Sequence, residues 1–91
     1  MGARADLRDV RELGIERGQR VRFRRGGGRP WHSGRVSGIE RDGSIGVIDA
    51  KGSSRAVPIQ RIEVRTTGAR GAPRWESLVA VAARTEQLNL F

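Results

Sequence analysis

The chain has 91 residues, a formal net charge of +8 and no cysteine. That length accommodates one domain with short arms and leaves little interior for a deep catalytic cleft, and the missing thiols exclude a disulfide framework and a thiolate metal site. No apolar run approaches the ~18 residues of a membrane-spanning helix, and residues 1–12 alternate in charge without the apolar centre of a secretory leader, so a cytoplasmic protein is expected.

Lys51 is the one lysine among 18 basic residues. Arginine forks suit phosphate better than ammonium groups do, and the distribution of charge shows where such a use would lie. Residues 1–18 set Arg4, Arg8, Arg11 and Arg17 against Asp6, Asp9, Glu12 and Glu16, and cancel. Residues 19–35 hold Arg20, Arg22, Arg24, Arg25, Arg29 and Arg35 with no acid, while residues 36–66 and 67–91 are each near neutral. A block of one sign is an electrostatic footprint rather than a compositional bias.

In chain order, residues 4–13 carry a weak apolar stripe, Leu7, Val10 and Leu13, that predicts a short helix stopped by Gly14. Residues 1–17 are thus an N-terminal arm. From Gly18 the period changes to two. Val21 and Phe23 point one way and Arg20, Arg22 and Arg24 the other, the mark of a half-buried strand with an arginine-coated outer face. Residues 26–30, Gly-Gly-Gly-Arg-Pro, make a loop. A second strand carries Val36 and Ile39, whose odd spacing predicts a bulge near Gly38. Asp42-Gly43 is a hairpin turn. Ile45 and Val47 face inward on a third strand, residues 50–53 turn the chain, and a short strand with Val57 ends at Pro58. Ile59-Gln60-Arg61 suits one helical turn, and a last strand brings Ile62 and Val64 inward. The expected core is Val21, Phe23, Val36, Ile39, Ile45, Val47, Val57, Ile59, Ile62 and Val64. At about 1.5–3 kcal/mol per buried aliphatic side chain it suffices for a small domain. Residues 68–74, rich in Gly, Ala and Pro, read as a linker. Residues 75–86 read as an amphipathic helix with Trp75, Leu78, Val79 and Ala82 on one face.

Short strands, tight turns and a one-turn helix before the last strand describe a mainly β, five-stranded SH3-like barrel over residues 18–67, with short helical arms at each end. The residues Gly18-Gln19-Arg20-Val21-Arg22-Phe23, Gly34-Arg35-Val36, Asp42-Gly43-Ser44-Ile45, Val57-Pro58 and Ile62-Glu63-Val64 resemble the small barrels of the Tudor and KOW type. That resemblance implies a binding module for nucleic acid, ribosomal RNA or peptide. A cage for methylated side chains needs several aromatic rings. The chain has no tyrosine, and Phe23 is assigned to the core. A nucleic-acid surface of Arg20, Arg22, Arg24, Arg25, Arg29 and Arg35 fits better, with Trp31 available to stack on a base. The competing reading is a solvated strand face and a tryptophan that closes the barrel.

The last residues are Gln87-Leu88-Asn89-Leu90-Phe91. They resemble the pentapeptide by which bacterial polymerases and repair factors dock on the β sliding clamp, matching at Gln87, Leu88, Leu90 and Phe91, with Asn89 as the linker position. Three apolar side chains at a chain end, where contacts are normally few, would gain about 5–9 kcal/mol gross in a partner's pockets against a cost of ~4 kcal/mol or more for association. Binding would be micromolar or weaker and strengthened by simultaneous DNA contact. Alternatively, Leu88, Leu90 and Phe91 fold back to cover the barrel or extend the helix over Trp75–Gln87.

His32 is the one histidine and has no visible partners for zinc or acid–base work, and Gly26-Gly27-Gly28 lacks the ending of a phosphate-cradling loop. No enzyme, cofactor or metal is expected. The expected protein is a non-catalytic, nucleoid-associated accessory factor of bacterial or phage DNA replication or repair, with DNA or RNA and the sliding clamp as partners and no membrane. Two alternatives are a KOW-type factor of transcription or the ribosome and a small phage structural protein.

Overall fold

The structure, a computed structural model, describes residues 9–88. Its centre is one open sheet of six antiparallel strands: β1 (Arg20–Phe23), β2 (His32–Ile39), β3 (Ile45–Asp49), β4 (Ser54–Val57), β5 (Ile62–Thr67) and β6 (Pro73–Ser77), in the spatial order β4-β3-β2-β1-β5-β6. A helix, α1 (Leu78–Leu88), follows β6 and packs against β5, β6, the 3-10 turn Ile59–Arg61 and the 3-10 turn Val10–Leu13.

Alternation decides the faces. In β1, Val21 and Phe23 are buried while Arg20 is exposed and Arg22 half-buried. Val36, Ile45, Val47, Val57, Ile62 and Val64 join them on the inner side. The bulge expected near Gly38 is present as a register shift between Val36 and Gly38, and it lets β2 carry Val36 and Ile39 towards the same core. Ile39 and Ile59 are half-buried at the core's margin rather than inside it. The Asp42-Gly43 turn forms as expected, with the Asp42 carboxylate accepting from the backbone N–H (2.9 Å) and the hydroxyl (2.6 Å) of Ser44. Gly34 has a packing role: a Cβ there would strike the Val47 side chain and sit 2.9 Å from the Ile48 carbonyl oxygen.

Several expectations are corrected. The five-stranded barrel is a six-stranded open sheet. Residues 68–74 are not a linker but a 3-10 turn, Ala69–Gly71, leading directly into β6. Trp75, Glu76 and Ser77, expected in a helix, form the rest of β6, paired to β5 through Arg65 opposite Trp75 and Glu63 opposite Ser77. The edge of β5 would otherwise present unpaired backbone groups, and Pro73 is tolerated because it opens an edge strand. The helix starts only where Ser77 Oγ accepts from the Ala80 N–H at 3.2 Å, as a serine caps a helix start.

The helical arms also differ. Of residues 4–13, the described part is the 3-10 turn Val10–Leu13; residues 4–8 lie outside the described residues. The turn is capped by Asp9, whose carboxylate accepts from the Arg11 N–H at 3.0 Å, and is closed by Gly14 at φ 83°. A Cβ on Gly14 would strike the Thr85 hydroxyl, so the N-terminal turn lies directly on α1. Val10 and Ile15 are buried in the core beside Leu78 and Val81 of α1, whereas Val79 is exposed. The helix is therefore a packed element rather than an arm.

Leu78 is fully buried and Leu88 is 68% exposed. Leu78→Ala is expected to cost about 2–5 kcal/mol in chemical denaturation, and Leu88→Ala to stay within about 0.5 kcal/mol of the parent chain.

Candidate nucleic-acid interface

Strand register builds the outer face of β2-β1-β5-β6. Arg22 stands opposite Ser33 on one side and Glu63 on the other, and Arg20 stands opposite Arg35. Arg22 Nε and Nη2 both donate to Glu63 Oε1, the former at 2.8 Å. The same guanidinium lies 4.3 Å from the centroid of the Trp31 ring and 4.7 Å from that of Trp75. Arg24 lies 4.1 Å from Trp31, and Arg65 5.1 Å from Trp75. Arginine and tryptophan thus alternate as Arg24, Trp31, Arg22, Trp75 and Arg65. A guanidinium over an indole gains about 0.5–2 kcal/mol, more as water is excluded, and both indoles are half-buried. The π systems of Trp31 and Trp75 are already engaged by the protein's own cations.

A different arrangement lies at the end of the sheet. Between the loop after β1 and the β3–β4 turn opens a groove of about 500 Å³. Arg24, Arg25 and Arg29 line it on one side, with Lys51, Arg55 and Arg61 reaching it from the β3–β4 turn, β4 and the following 3-10 turn. Apolar and aromatic surface completes the lining, including Phe23, His32 and Val57. Phe23 and His32 are direct neighbours across β1 and β2, with ring centroids 5.6 Å apart and planes inclined by 33°. Phe23 is 7% exposed, whereas His32 is exposed. Asp49 is the one acid in the lining, and its Oδ2 accepts from Arg55 Nε at 2.8 Å. No ion pair forms at Arg25, Arg29, Lys51 or Arg61 among the described residues.

The residues expected to bind nucleic acid therefore divide. Arg20, Arg22 and Arg35 stand on the outer face, where Arg35 Nη1 also donates to the Gly18 carbonyl at 3.0 Å. Arg25 and Arg29 line the groove, and Arg24 touches both regions. Sequence reasoning missed Lys51, Arg55 and Arg61, which are spaced irregularly over ten positions of the chain and reach one groove through the β3–β4 hairpin and the turn before β5. It also gives no role to His32, which reads as a loop residue beside Trp31 but begins β2 opposite Phe23. Trp75 was assigned to a helix; its alternation with Arg74 and Glu76 was the available sign of a strand.

At the other end of the chain, Gln87 and Leu88 form the last residues of α1 and are exposed. The peptide expected to dock over residues 87–91 thus begins inside the helix, because Gln and Leu are good helix formers and extend an already nucleated element. Asn89, Leu90 and Phe91 lie outside the described residues. No helix among the described residues is long and apolar enough to cross a membrane. In comparisons with protein-family models, curated proteins and solved structures, nothing matches this chain.

Three carboxylates hold the frame of these surfaces. The hydrogen bond from Arg55, then that from the Ser53 N–H, lowers the pKa of Asp49. The Ser44 hydroxyl and N–H lower that of Asp42, and Arg84 above all lowers that of Glu76, whose Oε2 accepts from Arg84 Nη2 at 2.8 Å and ties β6 to α1. Each group is more acidic folded than unfolded, so its contribution is complete above the unfolded values of about 3.9 for Asp and 4.3 for Glu and is lost as pH falls through the lower folded values. Thermal unfolding followed by circular dichroism is expected to show no loss from these groups between pH 7 and 5, and a falling midpoint below about pH 4. Asp49→Asn should flatten that acid limb.

Proposed function

We propose that this protein is a non-catalytic accessory factor that holds nucleic acid in its basic groove and docks on the bacterial DNA sliding clamp through its C-terminal peptide. The observation that carries the first half is the groove itself: Arg24, Arg25, Arg29, Lys51, Arg55 and Arg61 line one concavity against a single acid, Asp49, that is already paired. Convergent guanidinium and ammonium groups on a concave surface focus a positive potential and attract a polyanion. The strand order β4-β3-β2-β1-β5 and the 3-10 turn before β5 support a relation to the SH3-like small barrels, with β6 appended beyond β5.

The clamp half rests on the match at Gln87, Leu88, Leu90 and Phe91. It is supported by the 68% exposure of Leu88, a large apolar side chain presented at the end of a helix and not used by the core. Weak docking combined with a grip on DNA suits a cytoplasmic, nucleoid-associated factor, since each contact raises the effective concentration for the other.

Affinity for a labelled oligonucleotide is expected to fall steeply with salt, with a log–log slope of about −3 if roughly four phosphates are neutralised. Replacing Arg25 and Arg29 by Glu should weaken binding at all sequences alike and reduce that slope by about 1–2. A flat salt response would remove this half of the reading.

The parent chain immobilised on resin should retain purified sliding clamp, whereas Leu90→Ala with Phe91→Ala should release it. Equal retention of the clamp by both, or by neither, would overturn the docking.

A further inference from the structure

We propose that the groove accepts a single strand, with an unpaired base seated on His32 and its neighbouring phosphates held by the cations on either side. This rests on the reading of the groove as a nucleic-acid site and adds which form of nucleic acid it takes. The shape is the first reason. The cations line a concavity of about 500 Å³ together with an aromatic and apolar set, Phe23, His32, Val57, Ala56 and Pro58, and with Ser33 and the already paired Asp49. A duplex offers a convex ridge of phosphates with its base faces stacked inside, so it would meet the outer cations and leave this lining empty. A single strand can turn a base inward while its backbone follows the charged margins, the usual combination of stacking platform and electrostatic channel.

The second reason is which ring is available. Trp31 and Trp75 have guanidiniums over their rings at 4.1–5.1 Å, so a base stacking there would first have to displace an arginine. His32 is exposed and lines the groove, and its ring is supported from within by buried Phe23 at 5.6 Å. A supported ring keeps its orientation without a ligand and loses little conformational freedom when a base lands on it. Ser33, also on the lining, follows it in β2 and is exposed.

The test measures fluorescence anisotropy with labelled oligo(dT), oligo(rU), and DNA and RNA duplexes of the same length, at one salt concentration. At least one of the single strands should bind about tenfold or more tighter than either duplex, and the ratio of dT to rU tells which backbone is preferred. His32→Ala should weaken single-strand binding by about fivefold to a hundredfold, the range for loss of one base–aromatic stack, with duplex binding and the salt slope unchanged. His32→Phe, which keeps an aromatic face and discards the imidazole nitrogens, should retain the single-strand preference. Duplexes bound as tightly as single strands, or a His32→Phe chain as impaired as His32→Ala, would overturn the inference while leaving the groove a phosphate-binding site. Failure to bind any of the four would bring down the underlying reading as well.

Discussion

Strand β1 must bury Val21 and Phe23, and this requirement organises both faces of the molecule. The strand is paired on both sides, to β2 and to β5. A slip of one residue would drive Arg20, Arg22 and Arg24 into the core, so the register is firmly set. Its consequence is a run of arginines on one strand face whose Cα atoms are about 7 Å apart, so that like charges are crowded together. Glu63, brought opposite Arg22 by the β1–β5 register, meets part of that charge, and the indoles of Trp31 and Trp75 meet more of it through their π faces. Neither indole belongs to β1. Each is placed by a neighbouring segment, Trp31 just before β2 and Trp75 on β6 opposite Arg65. The electrostatics of the outer face are therefore a product of strand pairing.

Two cationic surfaces result, and they differ in what their charges are doing. On the outer face, Arg22 is committed to Glu63 and to both tryptophans. Moving it onto a phosphate would break several contacts for one. In the groove, Arg25, Arg29, Lys51 and Arg61 make no ion pair among the described residues, so a phosphate would displace only water and counterions. Binding energy is available where charge is unspent. This is why the groove, rather than the arginine-rich strand face that the sequence advertises, is the better place for a polyanion.

The parts of the fold that could be read from the chain were those fixed by local chemistry. Period-two alternation located β1, the spacing of Val36 and Ile39 located the bulge, and Asp42-Gly43 located its turn, because in each case neighbours in sequence carry the physical cause. The segment from Ala69 to Ser77 failed for the opposite reason. Gly, Ala and Pro gave it the composition of a linker, and Trp75 with Leu78 and Ala82 gave a helical spacing, yet the segment is the turn and second strand of a hairpin with β5, from Thr67 opposite Pro73 to Glu63 opposite Ser77, and that pairing leaves no mark in the composition or spacing of the segment taken alone. Ile15 was missed in the same way, and Val10, though part of the apolar stripe, was left out of the expected core. Their stretch is mostly charged, and only the docking of α1 through Leu78 and Val81 provides an apolar surface for them to cover.

Charge shows the same limit in sharper form. Residues 36–66 nearly balance, with Glu40, Asp42, Asp49 and Glu63 against Arg41, Lys51, Arg55, Arg61 and Arg65. Summed along the chain they predict no site. In space the two signs separate. Asp42 turns back to cap Ser44 in the β2–β3 turn, and Glu63 faces Arg22 across the outer surface. Lys51, Arg55 and Arg61 converge on the groove with Asp49 alone for company. A field depends on distance and exposure, and a hairpin followed by a turn brings residues ten positions apart onto one wall. The arginine block of residues 19–35 therefore located only half of the cationic surface; the other half came from a segment whose opposing charges cancel in sequence but, apart from the Asp49–Arg55 pair, do not pair with one another among the described residues.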